Sequence, residues 1–176
     1  MRRFLEDVDR KATARGEDYG SPNNLLTMIW GALDPQLQDA FSLAYNKKLR
    51  EGSNRISTRD LFQALARLKD GALRTLIESL PEGSLPKPIA ETVKVDRHVL
   101  DDNPLLSDCI EDSLNHFVVP GALPKKLSPV DIFVDIGMYG HGPSVARLRA
   151  HGITPEALEE RVRKLGLPVI RRQTSW

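Results

Sequence analysis

The chain has very little cysteine, few aromatic residues and no long apolar run. Of its 176 residues, one is cysteine and 6% are aromatic. The single cysteine, Cys109, cannot form an internal disulfide, so the sequence predicts a protein of a reducing compartment, the cytoplasm. No apolar stretch approaches the ~20 residues of a membrane span, and residues 1–16 mix acids with bases where a signal peptide would be apolar. The sequence therefore predicts neither a membrane protein nor a disulfide-stapled secreted domain.

An excess of charge of one sign is also missing. Lys and Arg number 25 against 24 Asp and Glu, a formal net charge of +1, so the whole chain has no bulk attraction to nucleic acid or anionic lipid. Basic residues gather in 47–59 and acidic residues in 101–112. They form either two solvated faces or a dipolar surface that steers a protein partner. Nucleic-acid binding is disfavoured, because the basic group has only Tyr45 as a nearby aromatic.

A repeated helix-start signal dominates the sequence. A capping side chain accepts a hydrogen bond from the first helical turn, and proline loses nothing at the next position. Apolar residues follow each such dipeptide at helical spacing, so each predicts a helix start. The dipeptides are Ser21-Pro22, Asp34-Pro35, Asn103-Pro104, Ser128-Pro129 and Thr154-Pro155. Thr58 and Asp70-Gly71 predict two more starts, and the glycines of 137–142 predict a break between helices.

No convincing alternating strand is present, so the predicted fold class is all-α. The best strand candidate, 91–95, lies in the proline- and glycine-containing stretch 81–102, which is typical of a linker. The predicted organisation is an N-terminal helical extension over 1–32 and a domain over 33–176. That domain comprises a first helical half (33–80), the linker (81–102) and a second half (103–168).

The two halves share a motif. Ile56 to Phe62 reads I-S-T-R-D-L-F, and Leu127 to Phe133 reads L-S-P-V-D-I-F. The two align without gaps as apolar, Ser, helix-start residue, variable, Asp, aliphatic, Phe. Each follows a longer amphipathic helix and a loop. This repetition predicts a duplicated unit with a pseudo-twofold core.

These motifs resemble the N-terminal domain of Clp-type AAA+ unfoldases, the Clp repeat domain. That family carries two copies of a helical unit with the motif I-G-T-E-H-L-L-x-G-L, to which 56–65 and 127–137 are similar. Residues 140–148 are similar to the family's G-E-G-x-A-x-x-x-L run, and the resemblance spans about 33–167. It implies a non-enzymatic module that binds a protein or peptide, with no catalytic residue, metal or cofactor. The implied partner is a Clp-type AAA+ ring or protease subunit, or a substrate segment in an apolar groove between the repeats.

The departures from the family qualify this expectation. Some family members recognise phosphoarginine through the Glu of each T-E-H motif, and here those positions hold Arg59 and Val130. Neither side chain can accept a hydrogen bond from a guanidinium, so that activity is not expected. Arg59, Val130 and Arg55, which lies beside the first, are the candidate partner-binding residues. The chain has no G-x-x-x-x-G-K-[ST] loop, so ATP hydrolysis is not expected either.

Four alternatives stay open. The chain could be the N-terminal domain of a longer Clp ATPase, the same fold reused as an interaction module outside proteolysis, a nucleic-acid regulator, or a small hydrolase. For a hydrolase, Cys109 and His116 lie two helical turns apart, about 10 Å, where a nucleophile pair needs ~3 Å. Cys109 is therefore predicted to be buried and structural. His98 with the acids of 101–102 could hold a metal, but a polar approach to a helix is favoured.

Overall fold

A computed structural model describes residues 25–69, 71–95, 104–118 and 126–172. These ranges are mostly helical, which confirms the predicted all-α class at that level. Among the helices described, none combines the length and apolar character that a membrane crossing requires. The helices are α1 (Leu25–Ile29), α2 (Pro35–Arg50), α3 (Thr58–Leu65), α4 (Gly71–Glu78), α5 (Asp108–Phe117), α6 (Pro129–Tyr139), α7 (Pro143–Ala150) and α8 (Pro155–Lys164). A 3₁₀ turn (Trp30–Ala32) and two short strands, β1 (Arg55–Ile56) and β2 (Leu105–Leu106), complete the set.

Capping side chains start several helices as predicted. Asp34 accepts a hydrogen bond from the Gln36 backbone N–H at 2.8 Å, at the start of α2. Thr154 accepts one from the Ala157 N–H at 3.2 Å, at the start of α8. In both helices proline occupies the first position, where the missing N–H would have had no partner.

The shared motif forms the same local structure in both halves, a reciprocal capping box. Ser57 accepts from the backbone N–H of Asp60 and donates its own backbone N–H to that carboxylate at 3.0 Å. Ser128 and Asp131 repeat the arrangement, and the Ser128 N–H lies 2.8 Å from Asp131 Oδ2. Each box pairs backbone donors that the first helical turn leaves without a partner.

Two predicted boundaries are wrong. Helix α5 begins at Asp108 rather than at Pro104, because the preceding leucines form β2 instead. Hydrogen bonds from Leu105 N to Asn54 O and from Ser107 N to Ile56 O, both 3.0 Å, commit this backbone to a parallel pairing. The predicted break at 137–142 begins late, since α6 continues through Gly137 and ends at Tyr139.

Two parallel pairings tie the halves together. The segment before α5 pairs with the segment before α3, with Leu106 opposite Ile56. The segment before α2 pairs with the segment before α6 through a bridge between Leu33 and Leu127, in which Asp34 N donates to Leu127 O at 2.7 Å. Each half therefore lends the segment before its first long helix to the segment before the other half's motif helix.

The apolar faces of the helices enclose one core. Phe62 and Phe133 are both 0% exposed, and their ring centroids lie 5.0 Å apart at an interplanar angle of 38°. They hold the same position in the two aligned motifs, so the halves meet through equivalent aromatic residues. A tilted pair at this separation is favourable beyond the area that it buries.

The described part of the predicted linker packs against the first half. Residues 81–95 contain no helix or strand, so the strand candidate at 91–95 is not a strand. Ile89 and Val93 are nonetheless buried, and Ile89 N donates to Gln63 O at 3.1 Å. The Arg67 guanidinium donates to backbone carbonyls of the same stretch. These contacts fix the stretch to the body of the first half.

The predicted N-terminal extension is described from residue 25 onward. Leu25, Leu26 and Ile29 are buried, whereas Met28 is 73% exposed. Helix α1 contacts α5, so this part of the extension covers the second half's first helix. The remaining residues of the extension lie outside the described ranges.

Candidate functional site

The sequence-predicted site residues fall in two different environments. Arg55 is half-buried in β1, and Arg59 is exposed in the first turn of α3, so both belong to one strand-to-helix corner. Val130 holds the aligned position in the first turn of α6 but is only 2% exposed. Its side chain is part of the core and has almost no surface to offer a partner. The structure therefore brings Arg55 and Arg59 together and leaves Val130 out.

Two lysines of the basic group, Lys47 and Lys48, form ion pairs with nearby acids. The Lys47 ammonium hydrogen-bonds the buried Asp60 carboxylate and lies 3.1 Å from Glu51 Oε1. Lys48 lies 2.8 Å from Glu51 Oε2. Burial lowers the pKa of Lys47, but the hydrogen bonds and charges of Asp60 and Glu51 outweigh it and raise that pKa above its ordinary value. These two lysines pair with the buried Asp60 and the exposed Glu51 rather than form an open cationic patch.

Arg59 differs from its neighbours in this respect. Arg50 donates to the Thr92 carbonyl at 2.9 Å and so anchors the stretch after α4. No hydrogen bond or ion pair joins the Arg59 side chain to any other residue in the described ranges. Its exposed guanidinium can form a bidentate pair with a carboxylate of another molecule.

The C-terminal end of the described chain forms a feature that sequence reasoning missed. We call residues 167–172 the strap, because this non-helical segment lies against α6 and α8. Ile170 N donates to Asp131 Oδ1 at 2.7 Å. Arg172 makes a bidentate pair with Asp135, with Nε–Oδ1 and Nη2–Oδ2 distances of 2.6 and 2.7 Å. The same guanidinium lies 4.4 Å from the centre of the Tyr139 ring.

The carboxylates under the strap are deeply buried. Asp131 is 2% exposed and Asp135 is 4% exposed. The hydrogen bonds to Asp135 raise the pKa of Arg172 above its ordinary value, although burial opposes this. A buried carboxylate needs such a partner, because leaving it unpaired costs several kcal/mol. The strap therefore supplies hydrogen-bond donors to the buried carboxylates of α6.

A cavity of about 250 Å³ opens beside the strap. Its apolar wall comes from α6, α8 and the strap itself, through Val134, Met138, Val162, Val169 and Ile170. Asp135, Glu159 and Arg172 supply its polar part. Small-molecule pockets usually measure roughly 300–1,000 Å³, so this cavity lies just below that range.

Cys109 has the environment of a structural thiol. It is 6% exposed, as the sequence predicts. Burial raises the pKa of the Cys109 thiol, and hydrogen bonds from the His141 backbone and the Thr58 side chain oppose this only in part. A thiol with a raised pKa stays protonated at neutral pH and is a poor nucleophile. His116 lies on the same helix, α5, as predicted.

Metal-binding chemistry finds no support in the part of the chain that the structure describes. Residues 25–69, 71–95, 104–118 and 126–172 contain no group of three or more His, Cys, Asp or Glu placed to hold an ion. The alternative site at His98 and residues 101–102 lies outside these ranges.

Comparison of the chain with models of protein families, with curated proteins and with solved structures gave no match. The function must therefore be inferred from the residues and their geometry. We call the junction of β1 and α3 the Arg59 corner, and the space between α6 and α8 that the strap covers the groove.

Proposed function

We propose that this chain is a non-enzymatic protein-interaction module with the double-repeat architecture of a Clp N-terminal domain. In this proposal it binds an acidic segment of a polypeptide partner at the corner formed by β1 and α3. The observation that carries the proposal is the exposed Arg59 guanidinium, which has no hydrogen-bond or ion-pair partner within the described ranges. Arg55 borders the same corner from β1.

Three features support the repeat architecture. Each half contains the Ser–Asp capping box at the start of its motif helix. Phe62 and Phe133 occupy the same motif position and contact each other in the core. The two parallel pairings are reciprocal, as a pseudo-twofold axis between duplicated units would make them. The halves differ after α4, where 81–95 takes a non-helical path and the second half has α8.

The chemistry of Arg59 defines the partner's surface. A guanidinium binds carboxylates through paired hydrogen bonds, and the charge complementarity sets specificity and association rate. Losing one charge-assisted hydrogen bond costs about 1.5–3 kcal/mol, which is roughly ten- to a hundredfold in affinity. Under the Clp resemblance, the partner is a cytoplasmic Clp-type AAA+ ring or protease subunit, or a polypeptide delivered to it.

The test is co-purification of the tagged full chain from native lysate, with and without ATP, read by mass spectrometry. We expect Arg59→Glu to lower recovery of the specific partner at least tenfold. Arg74→Glu is the matched control, because it reverses an exposed arginine on α4 whose contact is a surface ion pair with Glu78. Both variants should keep the wild-type melting temperature, since neither side chain is buried.

The identity of the recovered protein separates the remaining readings. Arg59-dependent enrichment of an AAA+ ring or protease subunit supports an accessory of that machine. Arg59-dependent enrichment of one unrelated protein supports the same fold reused outside proteolysis. Wild-type recovery with Arg59→Glu in an intact fold would contradict a binding role for this corner.

A further inference from the structure

We propose that the groove between α6 and α8 is a peptide-binding site for apolar segments that contain arginine, and that the strap occupies it in cis as a built-in competitor. This inference rests on the proposed function, polypeptide binding, but it uses a face other than the Arg59 corner. It is carried by the way in which the strap satisfies the buried acids of α6.

The strap supplies hydrogen bonds to both of those acids. Asp131 uses Oδ2 in the capping box with Ser128, which leaves Oδ1 for another donor. Within the described ranges, Ile170 N supplies the hydrogen bond to Asp131 Oδ1, and Arg172 supplies both hydrogen bonds to the Asp135 carboxylate. With the strap in place, Asp131 is 2% exposed and Asp135 is 4% exposed. Without the strap both carboxylates would lose these donors and only water could replace them, so the groove favours an occupant that carries equivalent donors.

The first half solves the same problem differently. Asp60 aligns with Asp131 and also caps its helix through Oδ2. Its Oδ1 is met by Lys47, which is part of the long helix α2. A helix that belongs to the core cannot leave without unfolding the domain, whereas a short segment without secondary structure can be replaced by an equivalent segment while the helices stay folded. The donor is thus fixed in one half and exchangeable in the other.

The strap's contacts define the chemistry of a competing ligand. The groove binds one backbone N–H at Asp131 and, two residues later, a guanidinium held between Asp135 and the Tyr139 ring. The residue between them, Arg171, pairs with Glu159 at 2.7 Å. The apolar side chains of Val169 and Ile170, which precede the two arginines, line the 250 Å³ cavity. The ligand is therefore a peptide with apolar residues followed by arginine.

The binding test uses the full chain and a fluorescein-labelled peptide, Leu-Pro-Val-Ile-Arg-Arg, which has the sequence of the strap. Arg172→Ala removes the bidentate pair that holds the strap, so it should bind the peptide at least tenfold tighter than the wild type in fluorescence anisotropy. A peptide with both arginines replaced by alanine should bind neither protein. Arg163→Ala, which removes an exposed ion pair with Glu160 on α8, should bind the labelled peptide as the wild type does.

A second measurement covers the case in which Arg172→Ala does not fold. In the wild-type protein, excess peptide should displace the strap and speed hydrogen exchange of the Ile170 amide, while the core amide of Leu158 keeps its rate. If the folded variant gains no affinity, or if Ile170 exchange does not change, the strap is a fixed part of the fold and the proposal is overturned. A variant that dimerises in light scattering and ignores the peptide would make a second copy's strap the occupant, which also overturns it.

The two proposals fail separately. Arg59→Glu should leave peptide binding unchanged, because Arg59 lies on α3 and the groove is formed by α6 and α8. Loss of peptide binding with intact Arg59-dependent co-purification would refute the groove alone. Arg59-independent co-purification with intact peptide binding would refute the Arg59 corner alone.

Discussion

The contact between Phe62 and Phe133 should couple the two halves of the domain energetically. Both rings are 0% exposed, and their centroids are 5.0 Å apart. Truncation to alanine would cost about 3–5 kcal/mol per ring, and a domain has only about 5–15 kcal/mol in total, so leucine is the better substitution. We expect Phe62→Leu and Phe133→Leu each to cost about 1–3 kcal/mol.

The double variant should cost less than the sum of the two single variants. The first substitution already removes the aromatic pair, which is worth about 0.5–1.5 kcal/mol beyond burial, so the second cannot remove it again. The assay is urea denaturation of the wild type, both single variants and the double variant, analysed as a double-mutant cycle. As a control, Phe62→Leu combined with the exposed cap variant Thr154→Ala should be additive within about 0.5 kcal/mol.

Either of two results would refute this reasoning. A coupling energy below about 0.3 kcal/mol would mean that the rings do not interact across the halves. Two separate unfolding transitions would mean that the halves do not share one cooperative core.

Two further predictions follow from the capping boxes and the buried thiol. Ser57→Ala and Ser128→Ala should each lower the free energy of unfolding by about 0.5–2 kcal/mol in urea denaturation, because each removes a side-chain cap. A loss from one variant alone would show that the two boxes are not equivalent. Cys109 should react with iodoacetamide more slowly in the folded protein than in urea. Because burial raises its pKa, the folded rate should keep rising with pH beyond the ordinary thiol pKa of about 8.5, where the rate of the unfolded chain levels off. Equal rates in both states at pH 7 would contradict its buried environment.

Helix starts were predictable because they depend on adjacent residues. A cap at Asp34 or Thr154 is a local interaction, and proline at the next position limits the backbone further. The same rule failed at Pro104, where the local signal competed with a pairing to Ile56, which is distant in the sequence. Local signals determine where a helix begins only if the backbone N–H and C=O groups there do not pair with a segment distant in the sequence.

The parallel pairings could not be read from the sequence. A strand of two residues is too short to show the alternation that identifies strands. Strands β1 and β2 come from opposite halves of the chain, and loops and helices lie between them in the sequence. In the folded chain α2 packs against α3 and α5 packs against α6, so the segments that precede these helices come together only through tertiary structure.

The two residues at the aligned motif position differ in chemistry and in exposure. Arg59 and Val130 occupy the same place in two similar helices, yet one is exposed and the other is 2% exposed. An aliphatic residue and a cation at equivalent positions indicate that one helix turns this position inward and the other outward. The resemblance makes the two positions equivalent, whereas the chemistry of the side chains distinguishes them.

The proposed exchange of the strap accounts for the second acid of α6, Asp135. Every residue from Pro129 to Gly137 is buried, so a carboxylate at Asp135 needs a cation, and the sequence offers 25 candidates without selecting one. Replacing a buried ion pair with apolar residues is often neutral or stabilising, so stability alone does not require Asp135. An acid whose cation is Arg172, on a segment without secondary structure, instead fits a site whose occupant can be exchanged. The Asp60–Lys47 pair shows the alternative, in which the cation is carried by a core helix, α2, and cannot be exchanged.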